Sequence, residues 1–159
     1  MSAHAVPYTI ATGFWHGGIW VSDMERALGF YRDGLGLEVE SDDVLPGDLV
    51  RRFVPVAVDE VRSVFLKIPG TNARLEVQEY RGGARARTPP PPPGTPGTGH
   101  CCLFVRDVDA TYARLTAAGH ASLGPVGELT DGAAAGTKLV YVIDPDGYWV
   151  ELVESARPA

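Results

Sequence analysis

The sequence predicts an α+β protein built from two copies of a β-α-β-β-β unit. Three observations carry this. First, His16-Gly-Gly-Ile-Trp-Val-Ser-Asp23 matches His100-Cys-Cys-Leu-Phe-Val-Arg-Asp107: a histidine, five mostly apolar residues, one polar residue and a capping aspartate. Second, each stretch is followed by helical spacing that stops at a glycine, Gly36 in one half and Gly119 in the other. Third, Leu75-Glu76-Val77-Gln78-Glu79 is echoed by Val150-Glu151-Leu152-Val153-Glu154, with glutamates at the same two places. Neither half has enough apolar surface to bury a sheet alone, and packing the two together meets that need.

Residues 1–13 form a lead-in. The first module spans 14–80, a linker 81–98, the second module 99–154 and a tail 155–159. Phe14 to Val21 reads as a strand. Asp23 is a helix cap, Glu25 suits the first turn, and Met24, Ala27, Leu28, Tyr31 and Leu35 give helical spacing over 23–34. Leu37 to Glu40 is a short strand. Pro46-Gly47-Asp48 opens a single helical turn over Leu49 to Phe53, which Pro55 stops. Val61 to Ile68 alternates, with Val64, Leu66 and Ile68 on one face and Ser63, Phe65 and Lys67 on the other. Ala73 to Tyr80 is the next strand.

The linker carries Arg81, Arg85 and Arg87 and then five consecutive prolines, Pro89 to Pro93, which make a semi-rigid polyproline spacer. The second module repeats the order: a strand from Gly99 to Arg106, a helix capped by Asp107 and ended by Gly119, a short strand at Ala121 to Leu123, and a Gly/Pro-rich loop to Gly136. Leu139 to Ile143 and Tyr148 to Val153 are two strands joined by Asp144-Pro145-Asp146-Gly147, a strong turn signal. His4 and His120 read as surface residues.

The 159 residues are 45% hydrophobic, enough for a packed core. With 14 basic against 20 acidic residues the net charge is −6, which argues against a nucleic-acid footprint. No apolar run approaches the ~20 residues of a membrane span. Met1 to Thr12 lacks the basic and apolar regions of a secretory signal. Cys101 and Cys102 are adjacent and point to opposite faces of a strand, a poor disulfide pair, so a cytoplasmic location is expected.

Strand parity then sorts the chemistry. His16, Gly18 and Trp20 share one face, as do His100, Cys102 and Phe104. Glu76, Gln78 and Tyr80 share a face, as do Trp149, Glu151 and Val153. The opposite faces carry Ile19, Val21, Leu75, Val77, Leu103, Val105, Val150 and Leu152, suited to packing on helices. A glutamate inside an apolar strand is costly unless it meets a positive partner. His16, Glu76, His100 and Glu151 are therefore expected to converge in one cavity. Two imidazoles and two carboxylates suit zinc, nickel, cobalt, manganese or ferrous iron, with positions left for water or substrate. Trp20, Phe65, Gln78, Tyr80, Cys102, Phe104, Tyr141 and Trp149 are the candidate substrate-pocket residues; Trp20, Tyr80, Phe104 and Trp149 are equally suited to plain core.

At these residues the chain resembles the vicinal oxygen chelate superfamily, which includes glyoxalase I, methylmalonyl-CoA epimerase, extradiol dioxygenases and bleomycin-binding proteins. The resemblance covers about 14–154. It is strongest at His16 to Glu38, with its Phe-Tyr-Arg-Asp helix ending, and at Asp144-Pro-Asp-Gly-Tyr-Trp-Val-Glu151. It implies a side-open, eight-stranded barrel-like sheet made from the paired modules, within one chain or by exchange in a homodimer. It also implies metal ligands at His16, Glu76, His100 and Glu151.

The resemblance further implies a small-molecule substrate chelated through vicinal oxygens, with Glu76 and Glu151 as the catalytic carboxylates of a glyoxalase-like or epimerase-like isomerase or lyase. Where glyoxalase I grips glutathione with an arginine and an asparagine, this chain has Trp20 and Tyr80, so glutathione is not the expected substrate. An extradiol dioxygenase is the main rival. Tyr141, ten residues before Glu151, fits it, but 81–99 has no catalytic histidine. A metal-free drug-binding protein is the non-enzymatic alternative.

Overall fold

The computed structural model describes residues 11–83 and 91–156. The expectations for His4, Arg85, Arg87 and the first two of the five prolines lie outside the described residues. In the first half, β1 (His16–Val21) leads into α1 (Met24–Leu28), whose N-terminus is closed by Asp23 accepting from the backbone N–H of Arg26 at 3.0 Å. The second half repeats this with β5 (His100–Phe104) and α3 (Val108–Ala117), where Asp107 accepts from the N–H of Ala110 at 2.8 Å. The two caps are repeat-equivalent and satisfy the same orphan helix donor.

Between these elements lie β2 (Glu38–Pro46), α2 (Gly47–Val50), β3 (Glu60–Lys67) and β4 (Arg74–Arg81). The second half continues with β6 (Ala121–Ser122), β7 (Gly127–Glu128), β8 (Lys138–Ile143) and β9 (Trp149–Glu154). The helix expected over 23–34 is α-helical only to Leu28. Gly29–Gly34 is a π-helical turn, in which Leu35 N–H donates to the Phe30 carbonyl five residues back. The widened turn accompanies two consecutive aromatics, Phe30 and Tyr31, that are both fully buried.

The strand expected at Leu37–Glu40 runs on to Pro46, with a bulge between Val39 and Ser41. Ser41-Asp42-Asp43 has poor strand propensity, but Arg62 on the neighbouring strand holds both Asp42 oxygens at 2.9 and 2.7 Å. The helical turn expected at Leu49–Phe53 begins two residues earlier, at Gly47. A side chain at Gly47 would meet the Val58 carbonyl at 2.1 Å, so glycine is required there. β7 lies inside the stretch expected to be loop, because two residues pairing on β8 leave no periodic signal.

The strands form two separate sheets, in the orders β1-β4-β3-β2 and β5-β9-β8-β6, with β7 also on β8. In each, the first strand runs parallel to the last and the rest is antiparallel. The sheets are open, and the eight-stranded barrel is not formed by the described residues of one chain. One core joins the halves: Ile19, Val21, Leu75 and Val77 from the first sheet and Val140, Val142, Val150 and Leu152 from the second are buried with Met24, Leu28, Phe30, Tyr31, Val108 and Leu115. No helix among the described residues is long and apolar enough to cross a membrane.

The turn between β8 and β9 clamps the halves together. Tyr31 Oη donates to Asp144 Oδ2 at 2.9 Å, a buried bond between residues 113 apart in sequence. Asp146 accepts from the Ser22 N–H at 2.8 Å and hydroxyl at 2.5 Å, and from Arg26 at 3.2 Å. Gly147 closes the turn at φ 94, a left-handed conformation that favours glycine. Burial pushes the Asp144 carboxyl above its ordinary value, against hydrogen bonds from Tyr148 N–H, Tyr31 and Asp146 N–H that hold it down. His120, expected at the surface, instead packs edge-on against Phe30 at 4.9 Å across the same junction.

Candidate functional site

The four expected ligands come together as two matched pairs. His16 Nε2 lies 3.2 Å from Glu76 Oε2, and His100 Nε2 lies 3.1 Å from Glu151 Oε2. Register produces both. Glu76 sits opposite Gly18 across the parallel β1–β4 ladder, and Glu151 sits opposite Cys102 across β5–β9. Each glutamate also faces an aromatic across the antiparallel ladder, Phe65 in one sheet and Tyr141 in the other. Those rings stand edge-on to the histidines, His16–Phe65 at 5.4 Å and His100–Tyr141 at 5.2 Å. The half-sites are thus structural repeats of one another.

Their surroundings differ. Glu76 Oε1 accepts from the buried Ser63 hydroxyl at 2.7 Å and from Gln78 Nε2 at 3.1 Å; Gln78 Oε1 in turn accepts from the Trp20 indole at 3.0 Å. One carboxylate oxygen is anchored and the other is aimed at His16. Glu151 is flanked instead by the Cys102 thiol and the Tyr141 phenol. Burial and the neighbouring Glu151 charge push Cys102 up to about 11 and raise Tyr141, so both stay protonated donors at neutral pH. Ser63 was missed by the sequence reasoning. Its only signal was its place on the Phe65 face of β3.

The donor chemistry fits a divalent ion. His16 turns Nε2 toward a carboxylate with one oxygen already fixed, and its buried Nδ1 has no hydrogen-bond partner. Such an imidazole–carboxylate pair is half of a borderline-metal donor set. The two halves are not merged in one chain: among the described residues, no three His, Cys, Asp or Glu are grouped to hold a metal. Parity explains this, since the ligand-bearing faces are the faces turned away from the common core.

Of the pocket residues, Trp20 and Phe104 are 71% and 69% exposed, and Tyr80 meets Trp20 edge-on at 6.1 Å. Trp149 and Trp20 line a common cleft of about 560 Å3. Arg81, a candidate anion contact, is engaged by Glu60 at 3.0 Å and Glu79 at 2.7 Å.

Residues 13–152 match the model of the Glyoxalase/Bleomycin resistance protein/Dioxygenase superfamily. The chain belongs to this superfamily. It is 31% identical to a lactoylglutathione lyase of Pseudomonas putida, over 97% of this chain and 91% of that protein. It is 29% identical to a 2-epi-5-epi-valiolone epimerase of Actinomyces sp, over 96% and 84% respectively. Among solved structures, a glyoxalase family protein from Bacillus cereus superposes with a TM-score of 0.79 at 21% identity, covering 95% of this chain and 99% of that one. The solved structure shares the fold, and the two relatives of similar length are a lyase and an epimerase.

Proposed function

We propose that the protein is a divalent-metal-dependent lyase or isomerase acting on a small oxygen-chelating molecule, with its site assembled between two copies of the chain. The observation that carries this reading is the duplicated His–Glu pair, His16–Glu76 and His100–Glu151, each partly buried on a sheet face turned away from the shared core. Each pair supplies two donors, and a metal of this class takes four or more protein and solvent ligands. A two-fold partner that lays its second sheet over the first would join two half-sites into one and close the side-open barrel. The exposed ring of Phe104 on the second sheet supports the same pairing.

His16, Glu76, His100 and Glu151 would hold the ion, which supplies Lewis acidity toward a substrate carbonyl oxygen. Glu76, anchored by Ser63 and Gln78, keeps its geometry. Glu151, beside Tyr141 and Cys102, takes a proton from the carbon next to that carbonyl and returns it to the neighbouring carbon or the opposite face. The Tyr141 phenol holds the Glu151 carboxylate while the proton moves. Trp20 and Tyr80, where an arginine and an asparagine would grip glutathione, support a substrate other than glutathione. The free thiols Cys101 and Cys102 suit a reducing cytoplasm.

A ring-cleaving dioxygenase is the second reading, favoured by Tyr141 standing against both His100 and Glu151. Metal analysis and light scattering on the purified protein after reconstitution with zinc, nickel, cobalt, manganese and ferrous iron test the main reading. It expects a dimer holding about one ion per chain. Less than about half an equivalent of every ion leaves the metal-free binding protein as the account.

A further inference from the structure

We infer that Trp20 is a specificity-determining residue, the platform on which an uncharged ring of the substrate lies. This rests on the metal-site reading above for the position of the substrate's chelating end. Trp20 stands on the Glu76 face of the sheet, in register with Gln78, two residue pairs beyond the Gly18–Glu76 pair. Its indole is held at two points, by the N–H bond to Gln78 and by the edge contact with Tyr80, yet 71% of the residue is open. A large aromatic that is both fixed and exposed is a preorganised binding surface.

The cleft beside it specifies the ligand's chemistry. Trp149 lines the same cleft, and Gly18, Gly97 and Gly99 contribute no side chains to it. No Lys or Arg lies among the described residues lining it. Its carboxylate, Asp146, is already bonded to Ser22 and Arg26. Among the described lining residues no basic side chain is present to hold an anionic tail, and Asp146 disfavours one. A neutral ring, aryl or saturated, presents the flat C–H or π face that an indole accepts.

The test uses chelators that differ only in the ring. Benzohydroxamic, cyclohexanecarbohydroxamic and acetohydroxamic acids are titrated into cobalt-loaded protein and followed by calorimetry, for the wild type, Trp20→Ala and Trp20→Phe. The two ring compounds are expected to bind about tenfold tighter than acetohydroxamate to the wild type and Trp20→Phe, and within about threefold of it to Trp20→Ala. The benzo and cyclohexane arms distinguish an aryl from a saturated ring.

Metal-free protein is examined in parallel by saturation-transfer NMR with benzamide, whose ring signal should appear with the wild type and vanish with Trp20→Ala. That arm decides the role of Trp20 even if cobalt fails to bind, an outcome that counts against the metal reading alone. Equal affinities in the wild type, or a ring preference that survives in Trp20→Ala, would overturn the proposal. So would a Trp20→Ala protein that turns monomeric by light scattering while keeping its preference, since Trp20 would then be an interface residue. Circular dichroism and Trp20→Phe separate these results from misfolding.

Discussion

The two half-sites share one plan and differ in what surrounds the carboxylate. In both, a histidine at the start of the first strand meets a glutamate on the last, and an aromatic from the neighbouring strand stands edge-on to the imidazole. Around Glu76 the second layer is Ser63, Gln78 and, through Gln78, Trp20. Around Glu151 it is a thiol and a phenol. Duplication made the donor set, and divergence gave the two glutamates different freedom. An oxygen that accepts two good hydrogen bonds is held in place. A carboxylate beside a phenol and a thiol is better able to move a proton.

Removing a histidine breaks the comparison most completely. His16→Ala and His100→Ala are each expected to weaken metal binding by about a hundredfold or more, read by competitive chelation, with little change in the unfolding transition. Unequal losses would show that one half-site binds alone. The clamp comes next. Asp144→Ala deletes the acceptor for Tyr31 Oη and for two backbone N–H groups. It should cost about 2–3 kcal/mol in urea unfolding. Tyr31→Phe should cost less, because Asp144 keeps its backbone partners.

The second layers sharpen the contrast. Ser63→Ala is expected to lower metal affinity about tenfold. Tyr141→Phe should leave affinity within about threefold while slowing solvent hydrogen exchange at a substrate carbon about tenfold. The reverse pattern would exchange the roles assigned to the glutamates. Arg81→Ala marks the lower end. Its ion pairs with Glu60 and Glu79 are surface pairs, so stability should change by less than about 1 kcal/mol and ligand affinity not at all.

How much of this could be read from the chain follows from the range of each interaction. The His–Glu pairs were legible because strand parity and an internal repeat are local properties. The same parity sorted Ile19, Val21, Val150 and Leu152 into the core. The expected convergence of both pairs in one cavity is not met among the described residues of one chain, because parity says which face a residue occupies and not which sheet covers that face. The clamp was hidden for a related reason. Asp144 and Asp146 looked like turn chemistry alone, and their partners Tyr31, Ser22 and Arg26 lie more than a hundred residues away. Ser63 carried no signal beyond its parity. The length of β2 was obscured by three polar residues, one of which, Asp42, Arg62 holds from across the ladder.

The central claim is that one metal site draws His16 and Glu76 from one chain and His100 and Glu151 from another. Mixing tests it most directly. His16→Ala and His100→Ala proteins are combined, partly unfolded, refolded together and assayed for bound metal. In a mixed dimer, one of the two sites receives four intact ligands. Random pairing should therefore restore roughly one quarter of the wild-type metal, although neither variant holds it alone. No recovery in mixtures shown by mass spectrometry to contain the mixed dimer would contradict the account.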